Sequence, residues 1–85
     1  MKRGIAGTLE SNDIMITVKE SDALKVTLNS IVYDFFHTRI EKVIYDTLAE
    51  LGVDKVDVVC EDKGALDCTI KARLITAIQR MEGER

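Results

Sequence analysis

The chain has 85 residues, of which 46% are apolar and 32% charged, a composition typical of one small globular domain with a modest core. Its formal charge of -3 and its lack of a run of Lys and Arg argue against nucleic acid as a partner. No apolar stretch approaches the roughly 18 residues of a membrane span, so we expect a cytoplasmic protein without a membrane partner. Residues 1–85 contain no proline, repeat or linker, which indicates a single domain.

Three short segments early in the chain have the pattern of β-strands. Residues 5–9 are a weak candidate, with the odd-numbered side chains on one face, and a polar turn follows them. Residues 14–19 and 24–29 alternate apolar and polar side chains with the period of two that a half-buried strand requires. Because only a short turn at 20–23 separates them, we expect these two strands to pair as an antiparallel hairpin with one face in water.

The period changes at Ile31, after which apolar residues recur at steps of three and four as far as Leu51. This spacing predicts a long helix. Asn29 or Ser30 can cap its first free N–H groups, and Gly52 suits the left-handed conformation that ends a helix.

The last third of the chain predicts one more strand and one more helix. Residues 55–60 alternate as a strand that returns to the sheet after the helical crossover. Residues 66–81 have helical spacing, although the alternation within 66–72 leaves a strand there as an alternative. Together the elements predict an α+β two-layer sandwich, a small and mostly antiparallel sheet with two helices on one face, in the order β-β-β-α-β-α.

The sequence has few of the side chains from which catalytic sites are usually built. The chain has a single histidine, His37, and three serines, with no spacing typical of a catalytic triad, so we predict no catalytic residue. Cys60 and Cys68 lack the spacing of a redox pair or a zinc site, so we expect no metal and two reduced, half-buried thiols.

Acidic side chains flank two of the predicted turns, at Glu10, Asp13, Glu61 and Asp62. We expect each of them to be mostly solvated, although as a group they can steer docking to a basic partner. Ser11 lies in the first of these turns, where a serine is by itself typical of a turn former.

Two segments, AGTLESNDIM at residues 6–15 and DKGALDCTIKAR at residues 62–73, resemble the acyl carrier protein, or gamma subunit, of bacterial citrate lyase. The resemblance implies that Ser11 carries a covalent phosphoribosyl-dephospho-coenzyme A through a phosphodiester. It also implies that the thiol of this arm holds an acetyl group, that an alpha CoA-transferase subunit exchanges acetate for citrate, and that a beta citryl lyase subunit releases oxaloacetate. By the same resemblance the chain itself is non-catalytic, and a prosthetic-group transferase is a further partner.

Two other functions stay open. The carrier subunit of malonate decarboxylase uses a similar prosthetic group, although Glu10 before Ser11 and the run at 62–67 favour citrate lyase. The chain can also be an unmodified protein-interaction module in which Ser11 is only a turn residue. An exposed loop at Ser11 suits either carrier, because a modifying enzyme must reach the hydroxyl and a long arm must swing from it.

Overall fold

The computed structural model describes residues 2–84, which form a four-stranded sheet and two helices. The strands are β1 (Arg3–Ala6), β2 (Ile14–Glu20), β3 (Lys25–Ser30) and β4 (Val56–Asp62). The helices are α1 (Tyr33–Leu51) and α2 (Asp67–Gly83). The predicted class and the element order β-β-β-α-β-α are confirmed. In the described part of the chain, neither helix has the length and apolar character needed to span a membrane.

The sheet order is β1-β2-β4-β3, so the predicted hairpin between β2 and β3 is wrong. β4 lies between these strands, antiparallel to β2 and parallel to β3, and the parallel return through α1 confirms the predicted crossover. The short connection at 21–24 still suffices, because extended chain at about 3.3 Å per residue covers two strand spacings of about 4.8 Å. This connection passes the start of β4, where the Ser21 N–H donates to the Lys55 carbonyl at 3.2 Å.

The core lies between the sheet and the two helices. The buried side of β4 is sealed completely, whereas Val26 and Leu28 of the edge strand β3 are only half-buried. This difference follows from their positions, because β4 has a neighbouring strand on each side and β3 lies at the edge of the sheet. The largest fully buried side chains include Ile14, Ile16, Val18, Ile40, Ile44, Leu48, Val56, Val58, Ile70, Leu74 and Ile78.

The first strand differs from its prediction in both position and facing. It covers Arg3–Ala6 instead of residues 5–9, and its buried residues are Gly4 and Ala6, while Ile5 is 41% exposed. Helix α2 packs directly on this strand, and a side chain at Gly4 would overlap the backbone of Ala77. A close helix therefore fixes the facing of β1, which a period of two in a short segment cannot determine.

The helices match their predictions except at one end. α1 begins at Tyr33, with Val32 as an N-cap residue that makes no side-chain cap hydrogen bond. The predicted cap at Asn29 or Ser30 is thus wrong, although the Ser30 hydroxyl accepts the Val32 N–H at 3.1 Å. Gly52 ends α1 with φ 68°, as predicted. The alternative strand at 66–72 is wrong, because helix α2 begins at Asp67 and Ile70 starts its buried stripe, which continues at Leu74, Ala77, Ile78 and Met81.

Candidate functional site

Ser11 lies on the loop that joins β1 to β2, residues 7–13, and its side chain is exposed. Two left-handed residues shape this loop. Gly7 has φ 92°, and a side chain there would overlap the Ile14 carbonyl. Asn12 has φ 64°, a conformation that Asn tolerates better than most residues. The backbone therefore reverses on both sides of Ser11 and leaves its hydroxyl at the outer surface.

Asp13 anchors the base of the loop. It is only 9% exposed, so the expectation that it is a solvated charge is wrong. Its carboxylate accepts hydrogen bonds from the Thr8 hydroxyl at 2.7 Å, the Thr8 N–H at 3.1 Å and the Ile14 N–H at 2.7 Å. Arg73 of α2 donates to the same carboxylate from Nε at 3.0 Å and from Nη2 at 3.1 Å.

These contacts determine the charge state of Asp13. The hydrogen bond from the Thr8 hydroxyl is the largest of the effects that together lower the pKa of Asp13 to about 2, and the hydrogen bonds from Arg73 come next. Burial acts in the opposite direction but is outweighed. The carboxylate is therefore ionised at neutral pH, and the two-pronged Arg73 contact orients the loop on α2.

Hydrogen bonds within the loop also hold the residues between Thr8 and Asp13. The Glu10 N–H donates to the Thr8 hydroxyl at 3.2 Å, and the Asp13 N–H donates to the Glu10 carbonyl at 3.2 Å. Ser11 thus has a fixed neighbour on its N-terminal side and a fixed carboxylate two residues later. The loop is exposed at its tip and rigid at its base.

A second loop, residues 63–66, lies beside the first. The Asn12 N–H donates to the Lys63 carbonyl at 2.8 Å, and the Lys63 N–H donates to the Asp13 carbonyl at 2.8 Å. These two bonds continue the ladder between β2 and β4 past the end of both strands. The segments 6–15 and 62–73, which carried the family resemblance, are therefore neighbours in space.

Asp62 holds the second loop in the way that Asp13 holds the first. It is 2% exposed, so the expectation of a solvated charge is wrong for this residue too. Its carboxylate accepts the Ser30 hydroxyl at 2.7 Å and the Ala65 N–H at 3.0 Å. Glu61 is partly exposed and accepts a hydrogen bond from Asn29 at 3.2 Å. Of the four acidic residues, only Glu10 is fully solvated as expected.

The three serines differ in how their hydroxyls are used. Ser30 donates to Asp62, and the Ser21 hydroxyl accepts the Ala23 N–H at 3.5 Å. Among residues 2–84, Ser11 is the serine whose hydroxyl makes no hydrogen bond. A hydroxyl that no base activates is a poor nucleophile, but a free and exposed one is open to modification by another enzyme.

The other candidate groups make no hydrogen bond to Ser11 within residues 2–84. His37 has Nδ1 2.8 Å from the Tyr33 carbonyl and stacks on the Tyr33 ring at 4.6 Å. Cys60 is fully buried, and burial raises the pKa of its thiol to about 12. Cys68 is exposed. The prediction of two half-buried thiols is therefore wrong for both. Residues 2–84 contain no group of three or more His, Cys, Asp or Glu side chains that could hold a metal ion.

Thr8 and Arg73 were not predicted as parts of the site. Arg73 lies three residues after Ile70 and directly before Leu74, at the edge of the buried stripe of α2. An arginine at the edge of a buried stripe is well placed to pair with an acidic side chain, and this signal was available in the sequence. The pairing with Asp13, 60 residues away, depends on the packing of α2 and could not be predicted from the sequence.

The chain is similar to known proteins over most of its length. The family model described as the malonate decarboxylase delta subunit (MdcD) matches residues 1–81. A citrate lyase acyl carrier protein of Streptococcus mutans is 55% identical over 78 residues, which cover 89% of this chain and 76% of that protein. One of Rhodopseudomonas palustris is 47% identical over 85 residues, which cover 99% of this chain and 88% of that protein.

A solved structure shares the fold. A chain in the crystal structure of a Pseudomonas malonate decarboxylase hetero-tetramer in complex with malonate superposes with a TM-score of 0.70 and 14% sequence identity. The match covers 94% of this chain and 84% of that one, and at this identity it establishes the fold alone. The resemblance seen in the two sequence segments is confirmed by the curated relatives, and the chain belongs to the family of citrate lyase acyl carrier proteins.

Proposed function

We propose that this chain is the acyl carrier subunit of a cytoplasmic citrate lyase and that Ser11 carries phosphoribosyl-dephospho-coenzyme A through a phosphodiester. The observation that carries the assignment to Ser11 is its free, exposed hydroxyl at the tip of a loop whose base Asp13 fixes. The names of relatives at 47 to 55% identity support citrate lyase as the complex.

The residues around Ser11 suit such a group. The loop tip is open to a modifying enzyme, and Asn12 and Lys63 tie the backbone below it to β4 without occupying the hydroxyl. When bound, the group supplies a thiol that holds the acyl cargo as a thioester. The chain performs no bond chemistry in this proposal. It holds one end of the tether, and the tether keeps the cargo at a high effective concentration near the active sites of the partners.

The partners in this proposal are the alpha CoA-transferase subunit, the beta citryl lyase subunit and the prosthetic-group transferase. A rigid base for Ser11 matters to all three. Each partner has to meet the same hydroxyl or the arm that leaves it, so a loop that Asp13 and Arg73 hold in one conformation lowers the ordering cost of each encounter.

A second candidate is the carrier subunit of malonate decarboxylase. The description of the matching family model and the fold of the Pseudomonas chain favour it. The higher sequence identity to the citrate lyase proteins weighs against it. The two candidates share the attachment residue and differ in the partner subunits and the acyl cargo.

Intact-mass measurement tests the attachment. The chain is incubated with the prosthetic-group transferase and its activated precursor, and we expect the mass to increase by one prosthetic group. Ser11→Ala removes the free hydroxyl and should abolish the increase, whereas Ser21→Ala, which alters another loop serine, should retain it. An unmodified wild-type chain, or a group found on Ser21 or Ser30, would refute the assignment.

Reconstitution distinguishes the two complexes. The loaded chain is added to the alpha and beta subunits of citrate lyase, and oxaloacetate formation from citrate is followed. In parallel it is added to a malonate decarboxylase that lacks its own carrier. We expect citrate cleavage only, and restoration of malonate decarboxylation alone would favour the second candidate.

A further inference from the structure

Large apolar side chains are exposed at the end of the sheet where Ser11 lies. Four of them form the loop-end patch, which is 66% exposed at Ile31, 85% at Phe35, 41% at Phe36 and 67% at Leu66. Phe35 and Phe36 lie in the first turn of α1 and Ile31 lies just before it, and the fold leaves these apolar side chains in water. A cluster of this kind on a small domain is typical of an interaction surface, and aromatic side chains contribute most of the energy at such surfaces.

Contacts of Arg39 connect the α1 part of the patch to the start of α2. Arg39 of α1 joins its two sides, because Nε lies 3.2 Å from the Asp67 carboxylate next to Leu66 and Cζ lies 4.8 Å above the Phe36 ring. The Phe35 ring is 6.5 Å from the Phe36 ring, centroid to centroid. The start of α1 and the start of α2 therefore present one surface.

This surface reaches the Ser11 loop through Gly64. A Cβ atom placed on Gly64 would lie 3.6 Å from Oδ1 of Asn12 on one side and 4.0 Å from Cδ1 of Ile31 on the other. Asn12 is the residue directly after Ser11. Anything that covers the loop-end patch is thus close to the Ser11 hydroxyl.

The charges around the patch limit what can cover it. At this end of the described chain, Glu10 and Asp34 are acids without an ion-pair partner, against the single base Lys63. The other bases here are already paired with carboxylates of the same chain, in Arg39–Asp67 and Arg73–Asp13. The surface is therefore apolar in the middle and acidic at the rim.

An acidic rim disfavours two of the possible occupants. In a symmetric dimer through this patch, Glu10 and Asp34 of one copy would approach the same residues of the other, which costs free energy. The proposed arm bears phosphates, and its citryl cargo bears free carboxylates, so the arm would also be repelled. A protein with an apolar hollow and a basic rim is complementary to the patch in both respects.

We infer that the loop-end patch is the docking surface for the acyl-processing subunits of the complex, which bind it through an apolar hollow with a basic rim. This inference rests on the function proposed above, because it takes Ser11 as the origin of the tether. A subunit bound on Phe35 and Leu66 has the attachment residue at the edge of its footprint, so the arm needs little search to enter its active site.

The test is binding of the carrier to the purified alpha and beta subunits of citrate lyase, with the carrier either unloaded or loaded. Phe35→Ala combined with Leu66→Ala removes the two most exposed side chains of the patch. The matched control combines Tyr45→Ala and Leu51→Ala, which are 43% and 40% exposed on the same helix but farther along it. We expect the patch variant to weaken binding about tenfold or more, and the control to stay within about twofold.

A charge variant gives an independent test that does not depend on packing. Asp34→Lys reverses one charge of the rim and leaves the patch intact. We expect a lower association rate at low salt, by about fivefold, and a difference that disappears in roughly 0.5 M salt, because screening removes steering between exposed charges. Faster association of the Lys variant would overturn the inference that the partner's binding site has a basic rim.

The remaining outcomes separate the possible occupants. Equal binding by the patch variant and the wild type would overturn the inference. A wild type that sediments as a dimer, with a patch variant that sediments as a monomer, would overturn it as well. Chemical-shift changes at Phe35 on loading, without any partner, would assign the patch to the arm instead. If Ser11 is not modified at all, the proposed function fails, and binding of the unloaded chain still decides whether the patch docks the subunits.

Discussion

Replacing Asp13 by Asn tests whether the anchor of the Ser11 loop is electrostatic. The carboxylate has a pKa of about 2 in the folded chain against an ordinary value of 3.8. Each pKa unit corresponds to about 1.4 kcal/mol, so the lowering from 3.8 to about 2 gives an upper limit of about 2.5 kcal/mol for this group. Arg73 is 41% exposed, so screening by solvent reduces the expected value to roughly 1 to 2 kcal/mol.

The sign of the pH dependence follows from the lowered pKa. The stabilisation is fully present above about pH 4, where the unfolded carboxyl is ionised, and it is lost as the pH falls through about 2, where the folded one becomes protonated. The free energy of unfolding is measured by urea titration between pH 7 and pH 2. The wild type minus Asp13→Asn difference should be largest at pH 7 and should shrink within this acidic window.

A matched control separates this effect from an ordinary surface charge. Asp46 accepts a hydrogen bond from Lys42 at 2.7 Å in an exposed pair, and Asp46→Asn should cost less than about 0.5 kcal/mol. Two results would refute the reasoning. One is a cost for Asp13→Asn no larger than that for Asp46→Asn, and the other is a difference that stays constant from pH 7 to pH 2.

Three further predictions concern backbone contacts and thiols. Gly4→Ala should lower the free energy of unfolding by about 2 to 3 kcal/mol in urea titration, because its Cβ would overlap the Ala77 carbonyl of α2. Gly64→Ala should cost about 1 to 2 kcal/mol in the same assay, since φ is 93° but the nearest side-chain atom is 3.6 Å away. Iodoacetamide should modify the folded chain at the exposed Cys68 alone, as read by peptide mass spectrometry. Labelling of Cys60, buried and with a pKa of about 12, would show that the core opens.

Sequence periodicity predicted which segments form helices and strands better than it predicted which strands pair with each other. The long stripe of α1 and the alternation in β2 and β4 each repeat several times, so local pattern alone determined them. Strand order was not predictable in this way, because the pairing of β2 with β4 joins residues that are far apart in sequence. The short first strand failed for a related reason, since its facing depends on the helix that covers Gly4.

The same distinction between local pattern and tertiary contact applies to the residues of the candidate site. Ser11 was accessible to sequence reasoning because turn chemistry and a family motif are both local. The burial of Asp13 was not, because it depends on Arg73 from the other end of the chain. A carboxylate in a polar turn is normally solvated, and here the local hydrogen bonds from Thr8 and Ile14, together with the tertiary pairing to Arg73, make it an anchor.

The strand order β1-β2-β4-β3 also explains how the Ser11 loop and the loop-end patch come to lie at the same end of this domain. If β2 and β3 had paired directly, the loop after β4 would lie at an edge, out of contact with one of the other two segments. With β4 in the centre, Asp62 stands opposite both Ile14 of β2 and Ser30 of β3. The loop after β4 therefore contacts the Ser11 loop on one side and the start of α1 on the other. The split between β2 and β3 thus places the proposed attachment residue and the loop-end patch on one continuous surface.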